Sequence, residues 1–346
     1  MGGYEHADSE ERHEFPRTRR ASEVTPRPVE WLWQERIPRG KLTLLDGDPG
    51  LGKTTILLDL AARVSSGRPM PSESNGHGRK PEGVLYLSAE DDDGDTLRPR
   101  LEAAGADLDR VHLWAEATLP ELPGDVEKIA QLVIAFDVGL IVLDPVGPFL
   151  DGEINVNRDA NVRQALAPLR GICELTGASA VLLRHLNKDG RSSNALYRGG
   201  GSIAFIAAAR SAMLCARDPN DDDQLILAHT KANVGRLAGS LAYRLEPVPV
   251  ANAGEQVRIE WLGAADYAAA DLLAVPREGR SEKREECAAW LREKLADGNM
   301  VARKALIAEA ERNGWQEHLV KRAATDIGVV SQRENQIHGG TLWSLN

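Results

Sequence analysis

The stretch Gly47-Asp48-Pro49-Gly50-Leu51-Gly52-Lys53-Thr54 has the residue types and spacing of a phosphate-binding loop, G-x-x-x-x-G-K-[ST]. Glycines at these positions let the backbone curl so that its N–H groups converge on phosphate oxygens at the start of a helix, where the dipole also favours an anion. Lys53 supplies a mobile charge for the β- and γ-phosphates. Thr54, followed by Thr55, offers a hydroxyl to the Mg2+ that travels with a nucleoside triphosphate. ATP and Mg2+ are therefore the expected ligands. The flanks agree, since residues 42–46 form a short apolar strand pattern and Ile56, Leu57, Leu60, Ala61 and Val64 recur at helical spacing.

A phosphate loop alone only binds; hydrolysis also needs an acid that orients the metal, a group that positions water, and charge for the transferring phosphoryl group. Residues 140–143 are an apolar strand pattern closed by Asp144, a carboxylate that is either the metal-orienting acid or a turn former. The strand pattern at 84–87 runs into Ser88-Ala89-Glu90-Asp91, and in a parallel sheet such a strand end faces the nucleotide crevice. Glu90 is placed to polarise the attacking water, with Asp91 its competitor. The strand pattern at 180–183 ends in Arg184-His185-Leu186-Asn187-Lys188, where His185 is either a contact to the γ-phosphate or a structural hydrogen-bond partner.

The elements that must position these residues follow from the rest of the chain. Its 346 residues suffice for one large α/β domain and a small one. Cys173, Cys215 and Cys287 have no paired spacing, so no disulfide framework or zinc site is expected. With no apolar run of membrane-spanning length and a charged N-terminal stretch, a cytoplasmic protein with no membrane partner is expected. A net charge of −10 confines any nucleic-acid contact to local surfaces. Residues 1–28 read as a disordered charged tail. Strand and helix patterns alternate over 29–264, which predicts an α/β domain with a largely parallel sheet. Residues 265–282 read as a linker and 283–346 as a second domain.

The phosphate loop, Ser88-Ala89-Glu90-Asp91, Leu143-Asp144, Arg184-His185-Leu186-Asn187-Lys188 and Arg198-Gly199-Gly200-Gly201-Ser202-Ile203-Ala204-Phe205 together resemble the RecA-like P-loop ATPases related to plasmid RepA-type hexameric helicases, over about residues 30–262. The resemblance implies a RecA-like NTPase core in which Glu90 activates water and His185 senses the γ-phosphate. It also implies a ring, a hexamer in that family, with nucleotide between subunits. Arg210 best matches the arginine finger that reaches a neighbour's site; Lys231 and Asn233 match a second interface element, with a plain strand-end lysine the alternative reading. The loops 147–158 and 187–202 correspond to pore loops that hold single-stranded DNA. The second carries Lys188, Arg191 and Arg198, although its composition also describes any flexible surface loop. Tyr197 is the one aromatic residue in that loop available to stack on a base, which weakens the case for processive unwinding.

From residue 283 the periodicity changes. Cys287, Ala288, Leu291 and Leu295, then Leu306, Ile307 and Ala310, then Leu319, Val320, Ala323, Ala324 and Ile327 mark three short helices, and 329–331 and 341–345 read as two strands around Gly339-Gly340. This resembles a winged helix-turn-helix whose third helix presents His318, Lys321 and Arg322 outward. From residue 277 onward there are 12 basic and 11 acidic residues, so the module suits docking on duplex DNA or on a replication protein. The expected function is a Mg-ATP-dependent, ring-forming motor or remodelling ATPase on DNA, such as a replicative helicase. A nucleotide-switched DNA-binding regulator and a KaiC-like signalling ATPase are the alternatives.

Overall fold

The structure, a computed structural model, describes residues 18–73, 78–156, 158–185, 204–221, 223–274, 277–296, 299–315, 317–333 and 341–345. Its elements are, in chain order, β1 (Trp31–Trp33), β2 (Ile37–Pro38), β3 (Leu42–Gly47), α1 (Lys53–Ser66), β4 (Gly83–Ser88), α2 (Arg98–Ala103), β5 (Val111–Leu113), α3 (Val126–Ala135), β6 (Val138–Asp144), α4 (Asp159–Thr176), β7 (Ser179–His185) and α5 (Ala204–Ala208). They continue with β8 (Ser211–Arg217), β9 (Leu225–Ala232), β10 (Ser240–Val250), β11 (Gly254–Ala265), α6 (Ala269–Ala274), α7 (Arg277–Lys294), β12 (Val301–Ala302), α8 (Arg303–Arg312), α9 (Glu317–Asp326), β13 (Val329–Arg333) and β14 (Thr341–Leu345).

Among the described residues the central sheet has nine strands in the order β11-β10-β9-β8-β3-β7-β6-β4-β5. From β8 to β5 every pairing is parallel. The remaining three strands are antiparallel. The fold is thus the expected α/β P-loop architecture with a largely parallel sheet. Strands β3 and β6 are buried along their whole length, because helices cover both faces; this is why they read as unbroken apolar runs in the sequence. One apolar layer joins Ile56, Leu57, Leu60 and Val64 of α1 to Leu97 and Leu101. The other joins α3, α4 and α5 through Ile129, Val133, Leu166, Leu169 and Phe205. Truncating one such leucine to alanine costs about 2–5 kcal/mol.

The hairpin of β10 and β11 was not visible in the sequence. β10 pairs with β9 only over Leu241–Tyr243, and beyond that it is bonded to β11 alone, out to Val250 opposite Gly254. Pro247 and Pro249 obscure the strand pattern, yet they fit here because a two-stranded ribbon leaves one edge free of ladder hydrogen bonds. Residues 18–30 are exposed throughout, and the rest of the expected tail, 1–17, lies outside the described residues.

The segment 265–282, expected as a linker, is helical over much of its length. Leu272 of α6 is buried with Ile226, Ala228 and Ala242 of the sheet. Its alanines suit a helix, and one buried leucine suffices to seat it. Among the described residues the C-terminal part forms three helices and a three-stranded sheet of order β12-β14-β13 around a core of Cys287, Leu291, Leu295, Leu306, Val320 and Trp343. Arg284 forks onto both oxygens of Asp326, 2.6 Å each, linking α7 to α9. No helix among the described residues is long and apolar enough to cross a membrane.

Candidate nucleotide site

Strand β3 ends at Gly47 and the chain turns through 48–52 into α1, whose first residue is Lys53. Gly52 adopts φ +69°, and a Cβ there would come within 2.6 Å of Leu245 Cδ2. Gly47 has its own constraint, since a Cβ would lie 2.9 Å from the Cys215 carbonyl oxygen. The Lys53 ammonium reaches back over the loop and donates to the Asp48 carbonyl at 2.8 Å. Burial lowers its pKa, against the raising influence of Asp144, Asp48 and Asp46.

The parallel register brings the other candidates to the same sheet end. Ser88 of β4 lies opposite Asp144 of β6, and Gly47 opposite His185 of β7. Asp144 is buried, and burial pushes its carboxyl up to about 6 against hydrogen bonds from Tyr86 and Thr54 that favour the charged form. Thr54 and Asp144 are therefore neighbours at the start of α1. A hydroxyl and a carboxylate side by side at the loop are hard oxygen donors of the kind Mg2+ takes while keeping several waters, so this pair fits the ion. Thr55 stands beside Thr54 in the first turn of α1.

Glu90 lies two residues beyond β4 and is exposed. The backbone just before it is fixed, because the Ala89 N–H donates to the Asp144 carbonyl at 2.9 Å. Its carboxylate stands 3.9 Å from His185 Nε2. Burial lowers the His185 pKa, Lys53 lowers it further, and Glu90 opposes both. Asp91 lies 3.6 Å from Arg100, with its N–H on Ser88 Oγ at 3.2 Å, and its charge acts on Asp144 alongside that of Glu90.

Three supports were missed in the sequence. The Tyr243 hydroxyl donates to the Leu51 carbonyl of the loop at 2.7 Å, so the β10–β11 hairpin braces the phosphate loop. Asp46, just before the loop, takes two hydrogen bonds of 2.8 Å from Arg184, just before His185. Both partners are buried, and removing one member of such a pair costs about 3–5 kcal/mol because the other charge is left unpaired. The third support is Tyr86, fully buried, whose hydroxyl donates to Asp144 Oδ2 at 2.7 Å. A tyrosine within an apolar strand reads as core, and only the register of β4 against β6 shows where its hydroxyl goes.

Arg210 occupies the opposite end of the sheet. Its N–H donates to the Leu42 carbonyl, where β3 begins, at 2.9 Å. The six residues of β3 separate it from the loop by about 17 Å, at roughly 3.3 Å per step, more than one arginine side chain spans. Asn233 donates its N–H to the Arg210 carbonyl at 2.9 Å. Lys231 caps the end of α5, donating to the carbonyls of Ile206 and Ala209. The neutral His229 ring accepts the Ala238 N–H on Nδ1 at 2.9 Å. Nε2 therefore carries the proton and donates to Ser211 Oγ at 2.9 Å, while that hydroxyl donates to the Arg36 carbonyl. The Arg210 backbone is tied down from both sides.

The expected DNA-contacting residues are less visible. Lys188, Arg191 and Arg198 lie outside the described residues, as do the side chains of His318 and Arg322. Lys321 is paired with Glu317 at 2.8 Å. In the expected loop 147–158, Phe149 and Leu150 are buried, and Leu122 is bonded to Phe149 and Asp151.

Comparison with known proteins adds the following. The sequence profile of the AAA domain family matches residues 8–191. The DNA repair protein RadA of Halalkalibacterium halodurans is 30% identical over 156 residues, covering 44% of this chain and 30% of that protein. The DNA repair protein RadA of Bacillus subtilis is 26% identical over 156 residues, with coverage of 44% and 30%. The chain thus spans less than a third of the length of these curated relatives. Among solved structures, the ATPase domain of G40P is similar with a TM-score of 0.45 and 14% identity over 60% of this chain and 82% of that one. The RadB recombinase gives 0.45 and 16% over 63% and 91%.

Proposed function

From the premise that this chain belongs to the AAA domain family, we propose that it hydrolyses ATP with Mg2+ and couples the reaction to remodelling of, or movement on, DNA. The observation that carries this reading is the meeting of Lys53, Thr54, Asp144, Glu90 and His185 at one end of the parallel sheet. Residues 47–55 hold the triphosphate, with backbone N–H groups and Lys53 on its oxygens. Thr54 and Asp144 hold Mg2+, which neutralises phosphate charge when bound. Glu90 orients and deprotonates the attacking water, and His185, poised beside it, contacts the γ-phosphate.

Charge for the transition state comes from Arg210 of a neighbouring copy. Its position at the far end of the sheet from its own loop supports a head-to-tail ring, a hexamer by the family resemblance, since such a contact joins unlike surfaces. The loop bearing Lys188, Arg191 and Arg198 tracks single-stranded DNA. Residues 283–346 act as a winged helix that docks the ring on duplex DNA or on a replication partner, with 29–264 as the motor. Similarity to proteins named for DNA repair is what favours DNA over a protein substrate.

The test is ATP turnover with and without single-stranded DNA, beside a mass measurement with nucleotide present. Stimulated turnover in a multimer is expected. Turnover indifferent to DNA favours a signalling ATPase, and DNA binding that depends on nucleotide without strand displacement favours a regulator.

A further inference from the structure

Tyr86 lies in β4, the strand paired directly with the β6 that carries Asp144, and nothing in the hydrolytic scheme uses it. It has no exposed surface. Its ring belongs to the apolar layer beneath α1, with Ile56, Leu60 and Val142, while its hydroxyl escapes that layer only at the Asp144 carboxylate. Burial holds the phenol pKa well above its ordinary value, and the Asp144 charge adds to this. In this contact the phenol donates and the carboxylate accepts.

Two bonds, one from β4 and one from the residue just after it, thus converge on one residue. The side chain of Asp144 is held through Oδ2 by Tyr86, and its carbonyl is held by the Ala89 N–H, one residue before Glu90. A phenol fixed by core packing cannot follow a moving carboxylate, so it sets which way the carboxylate faces. A carboxylate as buried as this one, deprived of the donor, loses the bond that fixes its orientation.

We propose that Tyr86 is a positioning residue for the metal: it holds the Asp144 carboxylate in the orientation that Mg2+ requires at Thr54 and locks that orientation to the strand end carrying Glu90. The inference rests on Asp144 being the metal-orienting acid. Groups that hold a metal's ligands typically change metal affinity by about 10–100-fold when removed, although they never touch the ion.

The test reads metal affinity apart from turnover. Binding of a fluorescent ATP analogue to the full chain is measured first with chelator and then across a Mg2+ titration, for the wild type, Tyr86→Phe and Asp144→Asn. Tyr86→Phe keeps the ring and its packing. It should bind nucleotide like the wild type in chelator, yet need about tenfold or more Mg2+ to reach the half-point of the metal-dependent change. Replacement of Tyr86 by 4-aminophenylalanine, which restores a donor on the same ring, should return the half-point toward wild type. In the double variant with Asp144→Asn, the Tyr86→Phe change should produce no additional shift.

An unmoved half-point in Tyr86→Phe, when Asp144→Asn moves it, overturns the role of Tyr86 and leaves Asp144 as the metal acid. An unmoved half-point in Asp144→Asn overturns both. A shift that persists in full in the double variant also overturns the proposal, since Tyr86 would then act by another route. Thermal melting checks the fold. Should Tyr86→Phe not fold, site-specific 4-fluorophenylalanine nearly keeps the size of the ring and its substituent while removing the donor; a displaced half-point supports the proposal and an unmoved one rejects it.

Discussion

The Glu90 carboxylate stands 3.9 Å from the His185 imidazole, across the strand ends of β4 and β7, while its sequence neighbour Asp91 is drawn toward Arg100. Glu90 is exposed beside His185, and Asp91 is paired with Arg100. Glu90→Gln should leave ATP binding intact and slow hydrolysis by about 10² or more, the range for loss of a positioned base. Asp91→Asn should stay near the wild-type rate. Single-turnover hydrolysis and nucleotide binding, measured together, decide the matter; the reverse pattern would move the base to Asp91.

How far this site could be read in advance depended on whether each residue's role is local. The phosphate loop is a continuous motif, and its helix and strand flank it in the chain. Asp144 and Glu90 were legible because strand ends in a parallel sheet share one edge. Tyr243, Arg184 and Tyr86 were not, since each acts on a residue 58 to 192 positions away, and Tyr86 in addition sits in a run that reads as ordinary core. The β10–β11 hairpin was hidden for a different reason. Its prolines break the usual strand signal, and only its free edge makes them tolerable. In the segment 265–282, polar and alanine-rich composition suggested a linker, whereas the burial of Leu272 seats a helix on the sheet.

His229 should make stability fall in acid. Burial lowers its pKa from 6.5 to about 4, with the charge of Arg36 acting in the same direction and a backbone hydrogen bond at Lys231 and the charge of Glu35 opposing. Below the unfolded value the unfolded chain takes up a proton that the folded chain refuses. The contribution is therefore complete above pH 6.5 and lost as the pH falls through about 4. A shift of this size corresponds to about 3 kcal/mol. Denaturant unfolding of the wild type and His229→Gln between pH 7 and pH 4 measures it. The wild type should lose more stability over that range than the variant, and parallel curves would count against it.

Removal of 277–346 should leave basal ATP turnover in place and weaken binding to duplex DNA or to a loading partner. The core of Leu291, Leu306, Val320 and Trp343 is a cluster of its own, and the cut spares Leu272 of α6, which packs on the sheet. Gel-shift and turnover assays on the truncated chain check both halves. A folded truncation without ATPase activity would contradict this division of labour.

The position of Arg210 leads to a test that depends on the identity of its neighbour. Its backbone is anchored to Leu42 at the start of β3, whereas the phosphate loop begins at the end of that strand, so the guanidinium serves a different copy or none. An Arg210→Ala subunit keeps its loop, Asp144 and Glu90, but cannot stabilise transition-state charge next door; losing such an arginine typically slows phosphoryl transfer by about 10³ or more. A Lys53→Ala subunit has the opposite defect, a crippled loop beside an intact arginine. Each should be nearly inactive alone. In mixed rings, some junctions bring an intact Arg210 to an intact loop, and turnover should rise with mixing to a maximum near equal proportions. Mass measurement must first establish that both variants still assemble, because Lys231 and Asn233 pack against the same segment and an arginine there can also hold subunits together. If mixed rings form and no ratio restores activity, Arg210 does not act in trans, and a structural role at the sheet's lower end becomes the better account of it.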